Sequence, residues 1–341
     1  MSEKLIIKNF KSVEQAELDI NQLTIFTGEN SSGKSTALQA YLLAHWQILS
    51  NEAKEYIQKY CPTPININAK PEDKAICQVN DRPAMEICAL DKSIFSFNVH
   101  ALLLEKNLGK IRFLSADRIG PQDVYALPTD NSFGVRGQFA PSFFDIYKYE
   151  ELDNKLCANT KSTTLGTQVN YWLQEIIGVE IKTEKIANLV LLKFKNQDGS
   201  EFLSLNTGFG SSVVFSIIVA CLSSKIGDTI VIENPEIHLH PKAQAKLADF
   251  FAFIANAGVR VIIETHCEHL IYKLCYNVYK KEISNEDVTI YYKEKDNNLE
   301  NNGYKKINIS KGGRFLDSNG DDCRFPAGFF DATAKQYLEL L

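Results

Sequence analysis

Apolar and polar positions alternate at the start of the chain and then close up into solid apolar runs. Leu5-Ile6-Ile7 is apolar, Lys8-Asn9-Phe10-Lys11-Ser12 turns, Ala16-Glu17-Leu18-Asp19-Ile20 alternates, and Leu23-Thr24-Ile25-Phe26 follows. Alternation with period two and short β-branched runs predict three strands here. The run Ala37-Leu38-Gln39-Ala40-Tyr41-Leu42-Leu43 predicts a helix from Lys34 toward Ser50. Residues 51–80 are mixed and polar, with Pro62, Pro64 and Pro71 as breakers, and predict a loop-rich insertion. Strand-like runs follow at Ala84–Leu90, Ser93–Leu104 and Lys110–Ser115, the last leading into Ala116-Asp117-Arg118-Ile119-Gly120-Pro121-Gln122. Residues 141–176 have a mainly helical pattern, with Tyr171-Trp172-Leu173 and Ile176-Ile177 as core contacts. Ile181–Lys195 reads as a strand, with a turn at Asn196-Gln197-Asp198-Gly199.

The pattern is densest downstream of residue 206. Asn206-Thr207-Gly208-Phe209-Gly210-Ser211-Ser212 leads into an apolar helix, Val213–Leu222. Asp228-Thr229-Ile230-Val231-Ile232-Glu233 is a buried-type strand ending in an acid. A helix over Lys242–Ala255 follows, then the strand Val259-Arg260-Val261-Ile262-Ile263-Glu264-Thr265, which runs into His266. Strand, helix, strand in this order sets the ends of two parallel strands side by side at the carboxyl edge of a sheet. There is no internal repeat and no heptad run long enough for a coiled coil.

Candidate chemistry concentrates in residues 28–36, GENSSGKST. Gly28, Gly33, Lys34 and Ser35 fill the pattern G-x-x-x-x-G-K-[ST] between a strand-like and a helix-like run, the context a phosphate-binding loop requires. Glycines let the backbone turn tightly and aim N–H groups at phosphate oxygens, and the helix N-terminus adds partial positive charge. Lys34 would reach the β- and γ-phosphates, and the Ser35 hydroxyl would ligate Mg²⁺. Asn30, Ser31, Ser32 and Thr36 complete the loop. In phosphate-loop NTPases a neighbouring strand ends in an acid that holds the Mg²⁺ site, and Glu233 stands at such an end. His266 would approach the γ-phosphate or the attacking water. Gly208, Gly210 and Ser211 open a second helix whose N-terminus suits an anion. Each of these three downstream features also has a plain structural explanation, as a strand-end acid, a cap or core histidine, and a glycine turn with a helix cap.

Composition narrows the class. The chain has 341 residues, 45% of them apolar, enough for one large domain or two ordinary ones. A net charge of −5 argues against a protein that coats nucleic acid, without excluding a local basic groove. No apolar stretch reaches membrane-spanning length and no charged-then-apolar leader opens the chain, which predicts a soluble, cytoplasmic protein without membrane partners. The eight cysteines form no C-x-x-C pair, which disfavours zinc or a disulfide framework.

Taken in order, GENSSGKST, Asn206–Ser212, ENPEIHLHP at 233–241 and the ETH of 264–266 followed by Cys267-Glu268-His269-Leu270 resemble the ABC-type ATPase heads of the SMC/RecF-like group. More closely, the chain looks like the compact bacterial ATPases related to overcoming-lysogenization (OLD) and abortive-infection proteins of antiviral defence. Similarity is good over 1–40 and 205–341, and the middle matches only around Ser115–Gln122. The tail Phe325-Pro326-Ala327-Gly328-Phe329-Phe330-Asp331 looks like a small C-terminal module found on some of these ATPases. The resemblance implies an α/β P-loop NTPase of the SMC-head kind: a mixed sheet flanked by helices, an antiparallel β subdomain and a helical lobe at about 140–178. Residues 1–285 would form the ATPase head and 286–341 a small C-terminal α/β module.

By position, the resemblance makes Gly28–Thr36 the Walker A loop and Glu233 the Walker B acid. Gly208–Ser212 would be the signature element, His238–Pro241 the D-loop and His266 the switch histidine, with Arg118 and Gln122 near a Q-loop position. Two departures stand out. The signature lacks LSGGQ, and the residue after the Walker B acid, normally the catalytic Glu, is Asn234. An amide positions water but does not take its proton. Glu236 is the nearest alternative base, or else a structural carboxylate of the D-loop. The expected protein is a Mg²⁺-dependent ATPase with ATP and Mg²⁺ as cofactors, a homodimer around ATP that controls a separate effector protein. The alternatives are an ATP-switched scaffold with little turnover, and a DNA-repair head of the RecF kind. In the second, Lys182, Lys185, Lys193 and Lys195 contact DNA phosphates rather than forming a solvated strand face.

Overall fold

In the computed structural model the run Leu23–Gly28 is a strand buried at all six positions. The residues described are 2–61, 65, 74–80, 82, 85–91, 94–99, 109–128, 132–297, 299–327 and 329–330. The chain divides into two compact units, one of residues 1–49, 57–106 and 262–341, the other of 50–56 and 107–261.

The first unit carries two sheets. An antiparallel sheet takes Val13–Ile20, Glu3–Phe10, Ala75–Val79, Met85–Asp91 and Ile94–Val99 in that spatial order. Its first two strands alternate buried and exposed positions, as the period-two pattern requires. A mixed sheet contains Phe315–Leu316, Tyr304–Ile309, Val288–Lys293, Leu23–Gly28 and the end of Arg260–Glu264. Val288–Lys293 runs parallel to Leu23–Gly28 and antiparallel to Tyr304–Ile309. Both central strands are buried throughout, so neither shows the alternation of a half-exposed strand, and Thr24, Thr27, Thr289 and Lys293 are buried along with their apolar residues. Phe26 stacks on Tyr291 at 5.5 Å and meets Tyr304 edge-on at 6.4 Å. The helix Lys34–Ala44 leaves the phosphate loop with nine of its eleven residues buried.

The second unit pairs Thr229–Glu233 in parallel with Ile111–Leu114 and forms an antiparallel sheet from Val179–Ile186, Leu189–Asn196, Glu201–Leu203 and Tyr125–Ala126. Its helical lobe holds Ala140–Tyr147 and Leu165–Ile177. The latter buries Leu165, Val169, Trp172, Leu173 and Ile176, a stripe at helical spacing. Trp172 packs against Phe250 at 5.0 Å and Phe253 at 5.1 Å, a contact set whose removal by alanine costs roughly 3–5 kcal/mol.

The fold differs from the sequence expectation at three places. Residues 51–80 are not simply loop-rich: Asn51–Tyr60 is a helix, started by the Ser50 hydroxyl accepting from Ala53 N–H at 3.2 Å, and Ala75–Val79 is a strand. Residues 62–64 and 66–73 lie outside the described residues. Ile181–Lys195 is two strands, reversed at Ala187, whose φ is 52°. The helix expected from Val213 begins at Phe209. Downstream of residue 285, Val288–Lys293 is paired along its whole length with the phosphate-loop strand. Of the tail, 328 and 331–341 lie outside the described residues. Among the described residues no helix is long and apolar enough to cross a membrane.

Candidate functional site

The phosphate loop is built where a strand end meets a helix start. Gly28 pairs in register with Lys293 and has φ 137°, and a Cβ there would lie 2.3 Å from the Lys293 carbonyl oxygen. Gly33 caps the helix with φ 109°, in the left-handed region. Its carbonyl accepts from the Tyr304 hydroxyl at 2.8 Å, which ties the loop to the strand Tyr304–Ile309. Both glycines therefore answer a backbone demand that no side-chain residue meets cheaply.

Asn30 and Ser31 are exposed at the crest, Ser32 and Thr36 are buried, and Ser35 is half-buried. Lys34 is buried and its Nζ donates to the Glu29 carbonyl at 2.5 Å. Burial lowers its pKa, and the nearby carboxylates of Glu264 and Glu29 partly restore it. The Ser35 hydroxyl donates to Glu264 Oε1 at 2.9 Å. The Ser32 hydroxyl is buried with no hydrogen-bond partner among the described residues. An ammonium, a hydroxyl with a carboxylate behind it, a buried hydroxyl without a partner among the described residues, and a glycine crest make a donor set that fits a nucleotide phosphate with a divalent cation.

His266 belongs to the same unit. Thr265 N–H donates to the Phe26 carbonyl at 3.0 Å, and the Thr265 hydroxyl accepts from Cys267 N–H at 2.9 Å. These bonds hold His266 in the turn between the strand Arg260–Glu264 and the helix Glu268–Tyr279. Burial lowers its pKa, and the Lys34 charge lowers it further, so its imidazole is neutral at pH 7.

The second unit gathers the remaining predicted residues. Glu233 is buried at its strand end, and its Oε2 accepts from Ala116 N–H at 2.9 Å. Arg118, 5% exposed, donates to the Glu233 carbonyl from both Nη atoms (2.7 and 2.6 Å), to the Asn234 carbonyl at 2.7 Å and to the Ser115 carbonyl at 2.6 Å. Burial brings its pKa down to about 10 against the opposing pull of Glu233 and Glu236, and the guanidinium stays charged. Arg118 thus holds the main chain at the end of the Glu233 strand. Among the described residues Gln122 bonds locally, to Tyr125 and Pro121. Asn234 has φ 43°, and its side-chain oxygen is buried without a partner among the described residues. Asparagine is among the few residues that adopt this left-handed conformation readily.

Gly208 is the cap of the helix Phe209–Leu222, so Gly210 and Ser211 lie in its first turn rather than before it. A Cβ on Gly210 would meet the His238 carbonyl oxygen at 2.5 Å, which lets residues 238–239 cross closely. His240 caps the next helix, its Nδ1 accepting from Lys242 N–H at 3.2 Å. A cleft of about 440 Å³ is lined by Gly208, Gly210, Ser211, His238, His240 and Lys242, among others. Among the described residues no group of three or more His, Cys, Asp or Glu is arranged to hold a metal by itself.

Sequence reasoning missed the contact of Glu264 with Ser35 and the clamp of Arg118 on residues 233–234. Glu264 was visible as a charge ending an apolar strand. Its partner lies 229 positions away, and spacing does not reveal that.

Comparison with known proteins agrees with this architecture. The family model described as "AAA domain, putative AbiEii toxin, Type IV TA system" matches residues 80–271, and that described as "AAA ATPase domain" matches residues 1–89. An SMC head bound to the C-terminal winged-helix domain of ScpA is similar, with TM-score 0.53 and 11% identity over 93% of this chain and 98% of that one. So is an SMC head with an extended coiled coil bound to the C-terminal domain of ScpA, from Pyrococcus furiosus, with TM-score 0.53 and 11% identity over 99% and 98%. The comparison with curated proteins gave no match. The fold is that of an SMC-head-like P-loop ATPase. The chain belongs to the AAA-domain family that the match over residues 80–271 describes.

Proposed function

We propose that the chain binds ATP at Gly28–Thr36 and hydrolyses it slowly, using nucleotide occupancy to control a partner protein. One observation carries this reading: Lys34, Ser35 and the buried Ser32 hydroxyl stand together in a loop whose Gly28 and Gly33 both hold positive φ. Lys34 supplies charge to the β- and γ-phosphates, and Ser35 and Glu233 serve the cation. Mg²⁺, when bound, neutralises charge on the phosphate oxygens. His266, neutral, accepts or donates one hydrogen bond toward the terminal phosphate or the water. Glu236 is the candidate base, since the Asn234 amide takes no proton. Gly208, Gly210 and Ser211 serve a second copy's phosphate, which makes ATP the bond between two copies.

Both similar SMC heads are bound to a domain of ScpA, in keeping with an ATPase that acts through a bound protein. The reading includes a cytoplasmic role in antiviral defence with a separate effector, as the resemblance to OLD and abortive-infection ATPases implies, and the family description names a putative AbiEii toxin of a type IV TA system. A second reading, an ATP-switched scaffold with little turnover, is favoured by Asn234, whose left-handed backbone suits asparagine better than glutamate. A RecF-like DNA role is less favoured. Lys182 and Lys193 are already paired with Glu201 and Glu184, and Lys195 lies 4.0 Å from Glu180.

Equilibrium titration with ATP tests the reading. Wild type should bind, and Lys34→Ala should lose at least about tenfold in affinity. Equal binding by both proteins contradicts the site.

A further inference from the structure

The carboxylate of Glu264 has no part in the roles assigned above. It ends the strand Arg260–Glu264, is 6% exposed, and accepts the Ser35 hydroxyl proton at 2.9 Å. A serine hydroxyl has one proton and two lone pairs. With the proton directed to Glu264, both lone pairs are left for a cation. The carboxylate also lies close enough to Lys34 and Tyr304 to raise the pKa of each. Its field therefore reaches the loop that would receive the phosphates. A buried negative charge there opposes a bare polyphosphate and favours one already neutralised by a divalent cation. A carboxylate fixing the rotor of a metal-ligating group is a recurrent way of tuning such a ligand.

We propose that Glu264 is the positioning residue that makes nucleotide binding at this loop depend on the divalent cation. It does so by orienting the Ser35 hydroxyl and by penalising metal-free nucleotide. The proposal rests on the loop binding ATP, as proposed above. It assigns Glu264 a role through Ser35 rather than contact with substrate. The coupling is reciprocal, so Mg²⁺ tightens ATP as much as ATP tightens Mg²⁺.

The test is calorimetric titration with ATP in excess Mg²⁺ and in EDTA, using wild type, Glu264→Gln, Glu264→Asp and Ser35→Ala, each first checked for a cooperative thermal transition. Wild type should prefer the Mg²⁺ condition by at least about tenfold. Glu264→Gln should narrow that ratio to within about threefold, chiefly by tightening metal-free ATP, and Glu264→Asp should retain part of it. In the Ser35→Ala background the further change Glu264→Gln should have a smaller effect than alone, as coupled residues require. A merely structural role would weaken both conditions alike and leave the ratio at the wild-type value, and that result overturns the proposal. If Glu264→Gln does not fold, Glu264→Asp and Ser35→Ala decide: an unchanged ratio in both overturns it. Wild type binding ATP equally with and without Mg²⁺ overturns this inference alone. No ATP binding in either condition overturns the nucleotide site itself.

Discussion

A Cβ placed on Gly28 would stand 2.3 Å from the carbonyl oxygen of Lys293 and 2.9 Å from its nitrogen. The first residue of the phosphate loop is thus pressed against the strand beside it. Gly28→Ala combines that clash with a φ of 137°, so either the strand pair or the loop has to shift. We expect a loss of at least about 2 kcal/mol in unfolding free energy and more than about tenfold in ATP affinity. Denaturant melts and ATP titration measure both. Wild-type values would mean that the loop is looser than its geometry implies.

Arg118 makes four hydrogen bonds to three main-chain carbonyls around Glu233 and Asn234. Arg118→Met keeps the apolar stem and removes every donor, leaving buried carbonyls without partners. Such a loss costs roughly 2–4 kcal/mol in stability. Because the end of the Glu233 strand loses its clamp, turnover should fall more than ATP affinity does. A stability change under about 0.5 kcal/mol would show that the clamp is dispensable.

Asn234 occupies the left-handed region, which aspartate also tolerates. Asn234→Asp supplies a carboxylate of the same shape at the position where the resemblance to ABC-type ATPases implies the catalytic acid. Phosphate release should rise by about tenfold or more while the melting temperature changes little. An unchanged rate would leave Glu236 as the candidate base, to be tested by Glu236→Gln, which should remove turnover and spare ATP binding.

The pKa of His266 is lowered first by burial and then by the Lys34 charge. Its titration midpoint, followed by NMR of the imidazole, should lie below the ordinary histidine value of about 6.5. Removing the positive neighbour favours the charged imidazole. Lys34→Met should therefore raise the midpoint, though not fully to the ordinary value, because burial remains. A midpoint that does not move would separate His266 from Lys34.

Much of the fold was legible because the decisive runs are locally unambiguous. Leu23–Gly28, Thr229–Glu233 and Arg260–Glu264 are short and β-branched, and each ends in the residue that chemistry would use. The loop 28–36 was legible from its spacing together with the strand-like and helix-like runs on either side. The reversal at Ala187 was not, because neither Gly nor Pro marks it. The helix Asn51–Tyr60 was hidden by a polar sequence that buries only a narrow stripe, including Ala53 and Ile57. Long-range partners were illegible in principle. Nothing near Glu264 points to Ser35, and nothing near Val288–Lys293 says that it will pair with a strand more than 250 residues upstream. Arg118, placed near a Q-loop position by the resemblance, bonds the main chain at 233–234, which its own neighbourhood in the sequence does not signal.

The central claim is that this loop binds and turns over ATP, and steady-state phosphate release from Mg-ATP tests it most directly. Purified wild type should release phosphate measurably and Lys34→Ala should not. Release by both at the same rate, or by neither even when Asn234→Asp is tested, would contradict the account.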